Sequence, residues 1–269
     1  FPHAWVLARR RRPRNNAIVP LTRASEQLYL PPMTSTQHAP RPAVAAAGVD
    51  AYDAKPDVYF AGVRSDFLQL LKQHAPADAR VLEVGCGFGE TGREALQQHL
   101  AGEYFGCELD RDAAATAATY LTQVLAGDIE TLDLPWPDAS LDAVLISEVL
   151  EHLHDPWAVV RRLAGLLKPG GVILASSPNV SHYRIIAQLL RGRFEYADVG
   201  PMDRTHLRWF TPVSYAQMFE DAGFATRHVG PMTPAGRKTK LLRAASLGLL
   251  PASLFMRQVK YIGQKPRGQ

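Results

Sequence analysis

The stretch Val81-Leu82-Glu83-Val84-Gly85-Cys86-Gly87-Phe88-Gly89 constrains the chain more than any other. Val81 to Val84 is a short apolar run of the kind buried in a parallel sheet, broken by one acid, Glu83. Glycines then stand at every second position, Gly85, Gly87 and Gly89, where the missing Cβ lets the backbone turn sharply and approach a ligand. A helical pattern follows from Glu90 to Leu100. Strand, glycine loop and helix together make a nucleotide-type site with the helix N-terminus aimed at the ligand. A dinucleotide loop needs Gly-x-Gly-x-x-Gly directly after the strand. Counted from Gly85, the third glycine is replaced by Glu90; counted from Gly87, Gly89 and Gly92 complete the pattern two residues too late. A nicotinamide dinucleotide is therefore not expected. The carboxylate of Glu83 at the loop favours a ligand that carries a cation.

Further acids fall at strand ends. Tyr104-Phe105-Gly106-Cys107 predicts a second strand ending at Glu108. An acid there, about 20 residues past the glycines, is placed to accept both hydroxyls of a ribose. Asp110 competes for that role but better suits the N-cap of an Ala-rich helix from Arg111 to Tyr120. Val124 to Glu130 predicts a short strand ending in Gly127-Asp128-Ile129. Leu141 to Ile146 predicts the central fourth strand, which runs into Ser147-Glu148-Val149-Leu150-Glu151-His152. Ligands sit at the C-terminal edge of such sheets, so Ser147 and Glu148 are expected at the site. Glu148, Glu151 and His152 are spaced for one helical face. Two carboxylates and an imidazole suit a divalent ion; a plain polar face, with Glu148 favoured by the helix dipole, is the other reading. The metal question stays open at this point.

These residues resemble the class I S-adenosylmethionine-dependent methyltransferases, whose first motif reads acid-x-Gly-x-Gly-x-Gly. The resemblance implies S-adenosyl-L-methionine as cofactor and S-adenosyl-L-homocysteine as product. It also implies an α/β fold, Rossmann-like and doubly wound: a mostly parallel seven-stranded sheet with one antiparallel strand, helices on both faces and a helical cap insert. Glu83, Gly85, Cys86, Gly87 and Gly89 become the loop contacts, with Glu83 toward the cofactor's amino group. Glu108 and Leu109 take the ribose end, Asp128 and Ile129 the adenine, and Ser147 and Glu148 flank the methionine part. An amphipathic helix through Phe67, Leu68, Leu70 and Leu71, ending before Pro76, would lie across the cofactor, so Tyr59 and Arg64 join the contacts; packing alone is the rival reading for both.

Pro156 to Leu167 predicts a helix, Lys168-Pro169-Gly170-Gly171 a turn, and Val172 to Ser176 the fifth strand. In the resembled family the residues that follow build the acceptor side, here Asn179, His182 and Tyr183 with a helical insert to about Arg191. A long connection then carries Asp203-Arg204-Thr205-His206-Leu207-Arg208-Trp209-Phe210. Connections of this length are usually functional. Asp203 and Arg208 are assigned to the acceptor, against a reading in which they only brace the loop. Thr211-Pro212 opens the next helix, to Ala222, as cap and first-turn proline. Phe224–Val229 and Val259–Ile262 supply the closing strands. Residues 240–257 are apolar with basic flanks, and are expected to pack on the sheet, with a membrane-surface helix as the rival reading.

The motifs Tyr59-Phe60, Gly127-Asp128-Ile129-Glu130, Leu150-Glu151-His152-Leu153, Pro178-Asn179-Val180 and Asp203 to Arg208 further resemble bacterial methyltransferases found with glycosyltransferases in surface-polysaccharide pathways. This resemblance covers about residues 57–265 and implies O-methylation of a sugar or glycan-type hydroxyl. Removing that hydroxyl's proton needs a base, and His152 and His206 are the candidates. A phenol or quinone-precursor acceptor is the first alternative, because some O-methyltransferases of quinone precursors carry a similar Glu-x-x-Glu-His. A cofactor-binding module without catalysis, serving a partner, is the second.

Residues 57–269 are read as the methyltransferase domain, with an acceptor-side cap at about 179–211, and 1–56 as a disordered or non-native extension and linker. Met33 is a plausible natural start, which would make residues 1–32 upstream sequence. The net charge of +4 misleads, because residues 1–32 alone hold six arginines and one glutamate. The folded part lacks the basic excess of a nucleic-acid binder. No run is long and apolar enough to span a membrane. Two cysteines in 269 residues make no disulfide framework and suggest reduced thiols in a cytoplasmic protein.

Overall fold

The structure, a computed structural model, describes residues 62–233, 236–237, 240–241 and 249–267. Residues 1–61 and 242–248 lie outside the described residues, and with them the readings of Tyr59, of the 1–56 extension and of the apolar stretch 240–257 as a single helix. Seven strands form one sheet: β1 Ala79–Val84, β2 Ala101–Glu108, β3 Gln123–Ala126, β4 Leu141–Ser147, β5 Leu167–Pro178, β6 Ala225–Pro231 and β7 Gln258–Gln264. Their order is β3-β2-β1-β4-β5-β7-β6, and β7 alone runs antiparallel to its neighbours. The chain reverses its direction of travel across the sheet between β1 and β4, the switch point at which open α/β sheets bind ligands.

The helices are α1 Ser65–His74, α2 Glu90–Gln97, α3 Arg111–Ala117, α4 Pro156–Leu166, α5 Tyr183–Leu189 and α6 Pro212–Asp221. Strand alternation sorts the core onto two faces. Val81, Ala143, Leu145 and Leu174 point into one layer with Phe67, Leu68 and Leu71 of α1, Ala95 of α2 and Ala117 of α3. Leu82, Val144, Ile146 and Ile173 point into the other, with Val160 and Leu163 of α4 and Tyr215 and Phe219 of α6. Burying each such aliphatic side chain contributes roughly 1.5–3 kcal/mol. The apolar positions of α1 are therefore what docks its first turn over the ends of the strands.

Helix ends follow local chemistry. Asp110 accepts from Ala113 N at 2.7 Å and caps α3, as its position in the sequence predicts. Thr211 and Ser214 form a reciprocal capping box on α6, with Pro212 in the first turn. Helix α1 ends at Ala75, in extended backbone ahead of Pro76. Two expectations need correction. Helix α3 stops at Ala117, short of Tyr120. The turn Lys168–Gly171 is not outside β5 but is carried as a bulge within it, since the β4 partners jump from Leu167 to Val172. The Lys265 ammonium holds that bulge by donating to the carbonyls of Ala164 and Leu167 at 2.8 Å.

The segment between β5 and α6 forms the cap. Its base is closed by a bridge between Asn179 and Phe210, and a second bridge joins Ala197 to Asp203.

Candidate active site

The glycine loop is built as its spacing demands. Gly85 N donates to Cys107 O at 2.8 Å, so the chain leaves β1 turning over β2. Gly85 has φ +76°, and a Cβ there would meet Val149 Cγ2 at 2.6 Å. Gly89, the N-cap of α2, has φ +79°, and its Cβ would meet the Ala117 backbone at 2.9 Å. Gly87 N donates to Glu108 Oε2 at 2.8 Å, and Asp110 N donates to Oε1 at 3.0 Å. Leu109 N also faces this carboxylate. Burial raises the Glu108 carboxyl and these three N–H groups lower it. Gly127 N donates to Glu108 O at 2.7 Å, which brings Asp128 and Ile129 beside it. Asp128 is exposed and its Oδ1 accepts from Glu130 N, while the Ile129 side chain is buried in the core.

Glu83 is buried at the end of β1 and accepts from Tyr104 Oη at 2.8 Å. Burial pushes its carboxyl up to about 7, against the opposing hydrogen bond from Tyr104 and the nearby Arg64 cation. Arg64 precedes α1, donates to Ser147 Oγ, pairs with Asp66 at 3.0 Å and lies over the Phe67 ring. Its backbone N–H donates to Thr91 Oγ1 at 3.1 Å, tying the start of α1 to α2. Cys86 and Cys107 are free buried thiols. Burial and the Glu108 charge push Cys107 up to about 12; Cys86 is raised too, by burial and then by Glu83 and Glu108. Both therefore stay protonated, and neither suits a nucleophile or a metal ligand. These residues fit S-adenosylmethionine. The missing Cβ atoms at Gly85 and Gly89 let the loop turn with positive φ and pack tightly against Val149 and Ala117, which fixes its backbone at the strand ends. Glu83, a buried acid next to strand β2, matches an ammonium, and Glu108 offers a carboxylate for a diol.

On the other side of the switch point, the expected helical face is absent. Glu148 takes a left-handed backbone with φ +54°, and only Leu150–His152 form one 3-10 turn. Glu148 N donates to Ser176 O, which continues the sheet pairing past Ser147 and rotates the chain out of helical register. The acids consequently part. Glu148 accepts from Ser176 Oγ at 2.8 Å and Gln258 Nε2 at 3.1 Å; Glu151 accepts from Ser177 Oγ at 3.1 Å. Ser176 and Ser177 are successive strand residues on opposite faces. Ser147 Oγ lies 3.1 Å from Ser176 Oγ, so Ser147 and Glu148 share one polar network with Arg64. Burial raises Glu148; burial, and then the Glu148 charge, raise Glu151 well above the usual carboxylate range.

Glu151 instead meets His152 and His206, with ligand-capable atoms of the three all within 4.8 Å of one another. The two imidazoles pack edge-on at 4.6 Å between centroids. The loop that carries His206 is clamped here, because Leu207 N and Arg208 N both donate to Glu151 O at 2.8 and 2.9 Å. The sequence grouped Glu151 with His152 and Glu148 and placed both histidines as candidate bases, but did not bring His206 to Glu151. The partners Tyr104, Ser176, Ser177 and Gln258 stand outside the quoted motifs, and Thr205 stands inside the Asp203 to Arg208 motif with no role assigned to it there.

The remaining acceptor candidates divide. His182 caps α5, is nearly buried, and lines a cavity of about 290 Å³ with Arg184, Gln188, Glu195, Tyr196, Pro201 and Arg257. Burial lowers its pKa, as do the Arg184 and Arg257 cations. The Tyr183 ring lies 4.5 Å from His182. Asn179 is fully buried: it donates to Ser253 O and Met256 O and accepts from Ser181 N and Oγ. Every donor and acceptor position is used, so Asn179 braces the cap and offers nothing to an acceptor. Asp203 accepts from Thr205 N and Oγ1. Arg208 donates to His154 O and Leu207 O. These two residues hold the His206 loop through separate partners.

The fold and this site are those of a Rossmann-like, class I methyltransferase. The methyltransferase domain family matches residues 59–229, and the chain belongs to that family. Its cofactor is S-adenosylmethionine. A Mycolicibacterium smegmatis protein named as an S-adenosylmethionine-dependent methyltransferase is 31% identical over 151 residues, covering 56% of this chain and 54% of that protein. A ubiquinone biosynthesis O-methyltransferase of Xanthomonas axonopodis pv. citri is 32% identical over 161 residues, covering 58% of this chain and 67% of that one. The chain thus spans about half the length of the first relative and two thirds of the second. A solved S-adenosylmethionine-dependent methyltransferase from Archaeoglobus fulgidus shares the fold, with a TM-score of 0.57 at 22% identity, covering 78% of this chain and 97% of that one. Among the described residues, no helix is long and apolar enough to cross a membrane.

Proposed function

We propose that the chain methylates a hydroxyl of a sugar or glycan-type acceptor, in the setting of glycan assembly that its motifs resemble. The observation that carries this reading is the cluster of His152, His206 and Glu151 at the strand edge beside the glycine loop. S-adenosylmethionine, when bound, supplies an electrophilic methyl group. The chain's own part is to align the acceptor, exclude water and take charge of the hydroxyl proton. His152 and His206 are the groups that face this task, by accepting the proton or by holding an ion that releases it to water. The adjoining cavity shares Pro201 with His206, whose Nδ1 lies 3.2 Å from Pro201 O. Its lining mixes arginines, Gln188 and Glu195 with the Tyr196 ring, which packs near Phe194 and Trp209. Hydrogen-bonding groups next to aromatic faces suit a polyhydroxylated ring.

A phenolic acceptor is the second reading, favoured by the similarity to the ubiquinone biosynthesis enzyme. Incubating the full chain with methyl-labelled cofactor and a panel of glycosides and phenols separates the two. Label on glycoside hydroxyls supports the first, and label confined to phenols supports the second. Cofactor binding without transfer to any hydroxyl would leave only a binding module.

A further inference from the structure

The Glu151, His152 and His206 cluster has features that a general base does not require. Glu151 is 1% exposed, and its Oε1 has no hydrogen-bond partner among the described residues. Its other oxygen is held by Ser177 Oγ, so the carboxylate is oriented, and a carboxylate oxygen lies within 4.8 Å of a ring nitrogen of each histidine. An unpaired buried carboxylate is strongly disfavoured unless a cation or a proton neutralises it. The rings are oriented too. His152 Nδ1 lies 3.2 Å from Thr205 O, and His206 Nδ1 lies 3.2 Å from Pro201 O. A carbonyl oxygen only accepts, and Thr205 Oγ1, also 3.2 Å from His152 Nδ1, spends its proton on Asp203 Oδ1, so these contacts favour the proton on each Nδ1 and the lone pair on each Nε2. Histidines that ligate metals are fixed in this way by a carbonyl on the far nitrogen. The backbone around them is held as well, by Leu207 N and Arg208 N on Glu151 O and by Asp203 on Thr205.

We propose that Glu151, His152 and His206 bind one divalent transition-metal ion, whose open coordination positions receive the acceptor hydroxyl. The inference rests on the hydroxyl-acceptor reading above for its use, but not for its existence. Two imidazoles and one carboxylate select an ion such as zinc, cobalt(II) or iron(II) over calcium or magnesium, which prefer all-oxygen sites. Three protein ligands leave room for a further oxygen, as in catalytic rather than structural sites. The hydroxyl oxygen donates a lone pair to the ion. Its O–H bond then breaks heterolytically, the electron pair stays on the oxygen and the proton passes to solvent water. The ion lowers the cost of that step as it does for bound water. The expected helical metal face is thereby replaced: Glu148, committed to Ser176 and Gln258, is outside the ligand set, and His206 from the cap is inside it.

The test is titration of the full chain with cobalt(II), followed by visible ligand-field absorption and calorimetry, with zinc and magnesium as competitors. The proposal expects one cobalt per chain, displaced by zinc and not by magnesium. Glu151→Gln, His152→Gln and His206→Gln should each weaken binding by at least about tenfold, while S-adenosylhomocysteine affinity in the same samples stays nearly unchanged. Wild-type protein that forms no one-to-one cobalt complex overturns the proposal, which then leaves Glu151 as a protonated acid. Cobalt binding with equal affinity in all folded variants overturns it too, since the ion then sits elsewhere. No readout uses methyl transfer. Failure to methylate any hydroxyl would sink the acceptor reading and leave the ion site standing, and loss of ion binding would do the reverse.

Discussion

The cofactor half and the acceptor half of this sheet edge are built by different means. At β1 and β2 the site is mostly backbone. Glycines at fixed spacing turn the chain, and Glu108 is held by N–H groups of Gly87 and Asp110, both within 21 residues. At β4 and β5 the site is side chains from distant segments. Glu148 binds Gln258, 110 positions away, and His152 meets Thr205, 53 positions away. A site made by local backbone geometry specifies one cofactor and resists change. A site made by side chains from a cap can be re-specified for a new acceptor without touching the first.

The sharpest way to break this division is at its acceptor end. His206→Ala should lower kcat by roughly 10²–10⁴-fold with cofactor affinity nearly intact. A fall in both together, measured by kinetics and calorimetry on folded protein, would show that the halves are not separable. Glu108→Ala should do the opposite. Losing a charged acceptor for a diol costs roughly 1.5–3 kcal/mol per hydrogen bond. Cofactor affinity should therefore drop by about 10²-fold or more, with kcat at saturating cofactor little changed.

These two variants also mark what the sequence showed. Gly85 to Gly89, Glu108 and the Asp110 and Thr211 caps are legible, because each acts on residues a few positions away or at the end of its own strand. Glu148 is misread as helical because periodicity cannot report that Ser176 O captures its N–H and drives φ to +54°. Asn179 follows a strand end and resembles an acceptor contact. Its role is set by the carbonyls of Ser253 and Met256, more than 70 positions on. The union of Glu151 with His206 is likewise a product of the cap's fold.

Asn179→Ala tests the bracing role. It should cost about 2–3 kcal/mol of stability by leaving buried carbonyls unpaired, seen as a lower denaturation midpoint. Acceptor KM per folded molecule should hold. A raised KM in a protein of unchanged stability would return Asn179 to the acceptor site.

The smallest expected effect is a pH dependence. The Glu83 carboxyl is raised by burial from 4.5 to about 7, so the ligand-free protein gains stability from its protonation. That gain is full below pH 4.5 and is lost as pH rises through about 7. A cationic ligand group requires the carboxylate. Affinity for S-adenosylhomocysteine should therefore climb with pH across this window and level off above it, with proton release on binding. Glu83→Gln should weaken binding and flatten the profile.

The most direct measurement is calorimetric titration of the full chain with S-adenosylhomocysteine and, separately, with NAD. The account predicts saturable binding of one S-adenosylhomocysteine per chain and no binding of NAD, because Glu90 stands where a dinucleotide loop has its third glycine and Glu83 faces a cation. Saturable NAD binding without any S-adenosyl binding would contradict it.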